Sequence, residues 1–194
     1  QEILNTSRLE DTKRLYEIVA SVKSRAQVNL TGAGHSTAVL RAAAYSSPMA
    51  AFQDEMAGIG YYQFIEKLEK DFEQRKEETV EELCKLMKKI LRPENFMISY
   101  TGERESLETV QKLAGTVKAG LGTEPVEKSK EKLTCTKKNE GFKTSGQVQY
   151  VAQTGNFKKK GLEYTGALEI LKVILSYDYL WMNLRVKGGA YGCM

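Results

Sequence analysis

What this sequence lacks narrows its chemistry. It has one histidine, His35, and three cysteines, Cys84, Cys135 and Cys193. The cysteines are widely spaced, no Cys-x-x-Cys pair occurs and no Cys/His cluster forms, so no structural zinc site is encoded. An odd, small set of cysteines fits free thiols in a reducing compartment. No Ser-His-Asp or Cys-His arrangement can be assembled except around His35, and nothing near His35 in the sequence supports one. No run of five or six like charges is present; 29 basic and 25 acidic residues are interspersed, leaving +4. That balance describes a solvated surface and excludes the basic stripe of a nucleic-acid binder. A long uncharged apolar run is missing too. The most hydrophobic stretch, Ala167 to Leu184, is interrupted by Glu169, Lys172 and Asp178, so it reads as a buried helix and not a bilayer span. The opening QEILNTSRLEDTKR has no apolar core of a secretory leader. The chain starts at Gln1 without Met and stops one residue after Cys193, and both ends read as cut.

What is present is mostly helical pattern. Ser7 and Glu10 are spaced as a capping box, ahead of Leu15, Ile18, Val19, Val22 and Ala26 on one helical face. That helix is expected to end by Gly32. A short Ala-rich helix follows "TGAGH", and Pro48 suits the first turn of another. Gly58 and Gly60 mark a joint before "YYQFIEKLEKDF". From about Glu73 to Leu91, Val80, Leu83, Cys84, Met87, Ile90 and Leu91 recur at three- and four-residue steps. Glutamates come early and lysines late, as the helix dipole favours, and Glu81 can pair with Lys85. "FMISYTG" alternates Phe96, Ile98 and Tyr100 with smaller or polar residues and predicts a strand at about 96–101. Leu107 to Val117 predicts a further helix. The polar, Lys-rich stretch 121–141 reads as an inter-domain linker. Beyond it, Val148, Tyr150 and Ala152 alternate with glutamines and predict a second strand. Thr165 can cap the apolar helix that runs to about Leu184. No internal repeat and no low-complexity segment is found.

Three local features invite chemistry. "TGAGH" is Gly-rich, but it follows a helix, whereas a phosphate loop joins a strand to a helix; a small-anion site there is a weak reading. Glu77, Glu78, Glu81 and Glu82 lie on the solvent face of an amphipathic helix. "RVKGGAYG" holds more. Arg185 follows the apolar helix, where a cation complements the dipole. Gly188 and Gly189 permit backbone angles and close approaches closed to other residues, and Tyr191 carries a phenol that can donate a hydrogen bond. On spacing alone this is equally a helix end, a glycine turn and a strand start.

"LRVKGGAYG" resembles the C-terminal-half signature of pitrilysin/insulinase-type zinc metallopeptidases, the inverzincins, and most closely their presequence-protease-like subfamily. "EDTKRLYEIVASVKSRAQVNLTGAGHSTAVLRAAAYSS", "GIGYYQFIEKL" and "NFMISYTG" are similar to the helical region that completes the third domain of such enzymes. The resemblance implies an α+β fold of two-layer helix/antiparallel-sheet domains, of the mitochondrial-processing-peptidase-like metallohydrolase type, here truncated. It places 1–120 in the third domain and 142–194 at the beginning of the fourth. It implies two halves enclosing a chamber in which unfolded peptides are cleaved. The N-terminal half of the same polypeptide would hold zinc through His-x-x-Glu-His, a motif absent from these residues. Carried over, Tyr191 and Arg185 are the catalytic pair: Tyr191 would donate to the scissile carbonyl oxygen and its oxyanion, and Arg185 would hold the substrate backbone. Gly188 and Gly189 join them as substrate-binding residues. No metal ligand, nucleic acid or membrane is implied for this stretch. A bacterial cytoplasm is the expected location, with an organelle matrix as the alternative. The rival class is a non-catalytic structural or interaction module.

Overall fold

A computed structural model describes residues 7–126 and 132–193. Two compact units divide the chain between Gln153 and Thr154. The first begins with α1 (Thr12–Gly32), α2 (Gly34–Ala44), α3 (Pro48–Ala57), α4 (Ile59–Lys70) and α5 (Phe72–Ile90). A 3-10 turn at Pro93–Asn95, another at Arg104–Ser106, and α6 (Leu107–Ala119) follow.

The core forms where two apolar stripes meet. Leu15, Val19 and Val22 recur at helical spacing on α1, and Tyr61, Ile65 and Leu68 do so on α4. Phe72, the first residue of α5, closes the seam at 1% exposure, with its ring 5.4 Å from that of Tyr16. Each such side chain removed from water contributes about 1.5–3 kcal/mol. At the rim of the seam, Lys23 Nζ meets Glu69 Oε2 at 2.5 Å.

The helix starts follow local chemistry. Asp11, not the expected box at Ser7 and Glu10, caps α1: its Oδ1 accepts from the Arg14 N–H at 3.0 Å. Ser47 caps α3 through the Ala50 N–H, with Pro48 in the first turn. Along α5, Lys85 reaches both Glu81, as expected, and Glu82, at 2.7 and 3.0 Å. Past its end, Arg92 is buried, pairs with Glu94 and donates to the Glu124 carbonyl.

The second unit holds a 3-10 turn (Phe157–Lys160), α7 (Ala167–Ile174) and a π-helix over Leu175–Lys187. Thr165 does not cap α7 with its side chain; its backbone carbonyl accepts from the Leu168 N–H.

Two expectations are corrected. No strand occurs among the described residues, so the α+β, two-layer helix/sheet architecture is replaced by an all-helical one. Alternation at 96–101 and 146–152 selects a face but cannot supply the neighbouring strand that a ladder requires, and neither segment is hydrogen-bonded to one. The helix after Thr165 is not buried either. Ile170, Val173 and Tyr177 are 65, 57 and 73% exposed, and no described residue of this unit is buried. Its apolarity signals a surface that wants cover, which nothing within the unit provides.

Candidate functional site

The residues singled out in "RVKGGAYG" lie at the end of the π-helix. Arg185 is in its last turn, with its guanidinium carbon 4.2 Å from the centroid of the Trp181 ring. Gly188 ends the helix at φ −86°. A Cβ there would stand 2.6 Å from the Leu184 carbonyl oxygen, so the small residue is needed by the helix end itself. Gly189 has φ +72°, the left-handed region that glycine enters without cost.

Two bonds close the end. The Gly189 N–H reaches the Arg185 carbonyl and the Ala190 N–H the Leu184 carbonyl, both at 3.0 Å. Each spans one residue more than its counterpart in an α-helical Schellman cap, matching the wider π-helical turn. Tyr191 then stands 92% exposed.

Among the described residues Arg185 makes no hydrogen bond or ion pair, and Tyr191 makes none. Nor does any contact join the two. The arrangement therefore offers a fork of N–H donors and a phenol, both uncommitted, on either side of a tight glycine turn.

The first unit contains a polar centre that the sequence reading missed. Asp54, in the last turn of α3, is 2% exposed. Its Oδ1 accepts from the Ile59 N–H at 3.0 Å and its Oδ2 from the Gly60 N–H at 3.1 Å. The carboxylate thus satisfies the free donors that begin α4. Gly58 is required at this joint, since a Cβ there would lie 2.9 Å from the Asp54 Cα.

Arg41 of α2 donates to Asp54 Oδ2 at 2.6 Å and, through Nε and Nη2, to Glu140 at 2.8 and 3.2 Å. The Tyr45 hydroxyl donates to the same Glu140 carboxylate. The rings of Tyr45 and Phe142 each lie 5.7 Å from the guanidinium carbon. Glu140 is held below the usual carboxylate range, first by its bond from Arg41. The Tyr45 phenol is pushed up by burial and by Glu140, and Arg41 is raised, chiefly by its bond to Glu140. This is a clasp: it fastens the segment around 140 to α2 and α3. The one available signal was Arg41 itself, a single cation in an otherwise Ala-rich helix.

The other candidates do not assemble. The His35 ring lies 6.3 Å from that of Tyr150, and Tyr150 also packs on Gly34, covering the start of α2 where an anion would bind. No group of three or more His, Cys, Asp or Glu among the described residues could hold a metal, so zinc has no fitting donor set here. All three cysteines are free thiols. No helix among the described residues is long and apolar enough to cross a membrane.

Comparison with known proteins gives these features a context. Residues 1–68 match a family described as peptidase-associated, of subfamily C of the M16 peptidases. Over 98% of its length the chain is 36% identical to "Protein HypA" of Clostridium perfringens, covering 19% of that protein. It is 27% identical to "Presequence protease 1, chloroplastic/mitochondrial" of Arabidopsis thaliana over 98% of its length, or 18% of the relative. It is also 27% identical to "Presequence protease, mitochondrial" of Yarrowia lipolytica over 99% of its length, or 20% of the relative. The chain thus spans about a fifth of the length of the curated relatives it matches. The C-terminal signature and the helical region before it point the same way as these matches, and the chain belongs to the pitrilysin-type, presequence-protease-like family.

Proposed function

We propose that this chain is part of a zinc-dependent metalloendopeptidase that degrades unfolded peptides in a closed chamber, and that it contributes substrate-binding and oxyanion-stabilising groups but no zinc ligands. The observation that carries the reading is the match to presequence proteases along nearly the whole chain, taken with the uncommitted donors of Arg185 and Tyr191. Zinc would be held by the N-terminal half of the same polypeptide. The compartment we propose is a bacterial cytoplasm or, as the relatives' names suggest, an organelle.

In this reading the Tyr191 hydroxyl donates to the carbonyl oxygen of the scissile bond. The bond strengthens as negative charge develops there, so it stabilises the transition state more than the bound peptide. Arg185 presents several donors in a rigid fork suited to peptide carbonyls. The turn at Gly188 and Gly189 lets the peptide approach the backbone without meeting a side chain.

The test is steady-state cleavage of a short fluorogenic peptide by the full-length protein. Tyr191→Phe removes one donor and keeps the ring, and is expected to lower kcat and kcat/KM alike, by about 10²–10³-fold. Arg185→Lys keeps the charge but loses the fork, and is expected to raise KM. A Tyr191→Phe enzyme with near-normal kcat would end the assignment and favour the structural-module reading. The 194-residue chain by itself is expected to cleave nothing and to bind no stoichiometric zinc, which metal analysis after dialysis checks.

A further inference from the structure

Trp181 is the only tryptophan in the chain, and it lies four residues before Arg185 in the same π-helix. The guanidinium sits over its indole at 4.2 Å, well inside the range of a cation–π contact. Other arginines are held differently. Arg41, Arg75 and Arg92 are each fixed by a carboxylate, which occupies N–H donors in doing so. The indole engages only the face of the guanidinium. It restrains a long, flexible side chain while leaving every N–H on the edge free and the full positive charge in place.

We propose that Trp181 is a positioning residue for peptide binding: its indole holds the Arg185 guanidinium so that the uncommitted N–H edge is pre-set for substrate carbonyl oxygens. The proposal rests on the reading of Arg185 as a peptide-binding group. A carboxylate at position 181 could also hold Arg185, but it would compete with the substrate for the same donors. An aliphatic residue would compete for nothing and hold nothing. Only a π face restrains the cation and leaves its edge free.

Kinetics of the full-length protein and spectroscopy of the 194-residue chain test this together. With a short fluorogenic peptide, Trp181→Leu is expected to raise KM about three- to tenfold with kcat nearly unchanged. Trp181→Phe, which keeps an aromatic face, is expected to recover most of that loss. In an Arg185→Gln background Trp181→Leu is expected to add nothing, since the residue acts through Arg185. In the 194-residue chain, where emission comes from Trp181 alone, Arg185→Gln is expected to shift the indole spectrum. If Arg185→Gln raises KM while Trp181→Leu does not, or if Trp181→Phe is as impaired as Trp181→Leu, the positioning role is overturned and the function of Arg185 stands. An unshifted spectrum overturns the stack itself. If Arg185→Gln leaves KM unchanged, the peptide-binding reading fails and this proposal fails with it.

Discussion

The two units of this chain treat their apolar residues in opposite ways. In the first, the stripes of α1 and α4 find each other, and Val19, Ile65 and Phe72 reach 7, 7 and 1% exposure. In the second, a helix richer in apolar residues leaves Ile170, Val173 and Tyr177 mostly in water. Composition is therefore no guide to burial. An apolar stripe becomes core only where the chain brings a second stripe against it, and the short joint at Gly58 is what folds that partner back. The same contrast holds for cations. Arg41 is locked among two carboxylates, whereas Arg185 rests on an indole with its donors uncommitted. The first arrangement stabilises; the second leaves something to bind with.

The largest test of this contrast is truncation at matched positions. Phe72→Ala is expected to cost about 3–5 kcal/mol, the lost transfer energy plus the cavity left behind. Ile170→Ala, at a side chain already in water, is expected to stay within about 0.5 kcal/mol. Urea unfolding followed by helical circular dichroism measures both, and equal losses would erase the distinction. The exposed face of the second unit is also expected to drive association, since large apolar patches seldom persist on a monomer. Sedimentation that stays monomeric at high concentration would speak against it.

A smaller effect is expected at Asp54. Asp54→Ala strips the buried end of the Arg41 ion pair and the acceptors of two N–H groups that begin α4. The expected loss is about 2–3 kcal/mol, less than for an isolated buried charge pair because Arg41 keeps Glu140. Asp54→Asn retains an acceptor for one N–H and is expected to fall between wild type and the alanine variant. Thermal unfolding of the three proteins ranks them, and an alanine variant as stable as wild type would remove Asp54 from the architecture.

How much of this was legible in the sequence depended on the range of the interaction. Periodic and nearest-turn signals were readable: the Leu15, Val19, Val22 stripe, Ser47 with Pro48, the break at Gly58, the Glu81–Lys85 pair, and the glycine turn before Tyr191. The start of α1 was misplaced because Ser7–Glu10 and Asp11 are both good caps within one turn of each other. The predicted strands failed for a physical reason. Alternation around Ile98 or Tyr150 describes one segment, whereas a ladder is a property of two. The clasp was not legible at all, because Arg41 and Glu140 are 99 residues apart and side-chain pairing over that distance leaves no period. Trp181 could have been found, since residues four apart on a helix are neighbours and Arg185 was already marked.

The smallest expected effect is the acid response of the clasp. The charged and titratable groups facing Glu140 are Arg41, Tyr45 and Lys138, with Asp54 on the far side of Arg41. Glu140 lies below its ordinary value because Arg41 donates to its charged form. A carboxylate depressed in the folded state binds its proton more readily when unfolded. Its contribution is therefore complete above the ordinary Glu value of about 4.3 and is lost as pH falls through the lower folded value. Tyr45 is raised, so its contribution is present below about 10 and fades as pH climbs through the folded value. The clasp should hold across neutral pH and loosen at both extremes. Because Glu140 is partly exposed, the change is expected to be only about 1 kcal/mol. That is too little to unfold the α1–α4 seam but enough to free the segment around 140. Glu140→Gln should reproduce the acid state at neutral pH, and proteolytic nicking at Lys138 or Lys143 should rise about fivefold for a loss of that size. If nicking is the same in Glu140→Gln and wild type, Arg41 is held by Asp54 alone and the segment around 140 is fastened by its aromatic contacts instead.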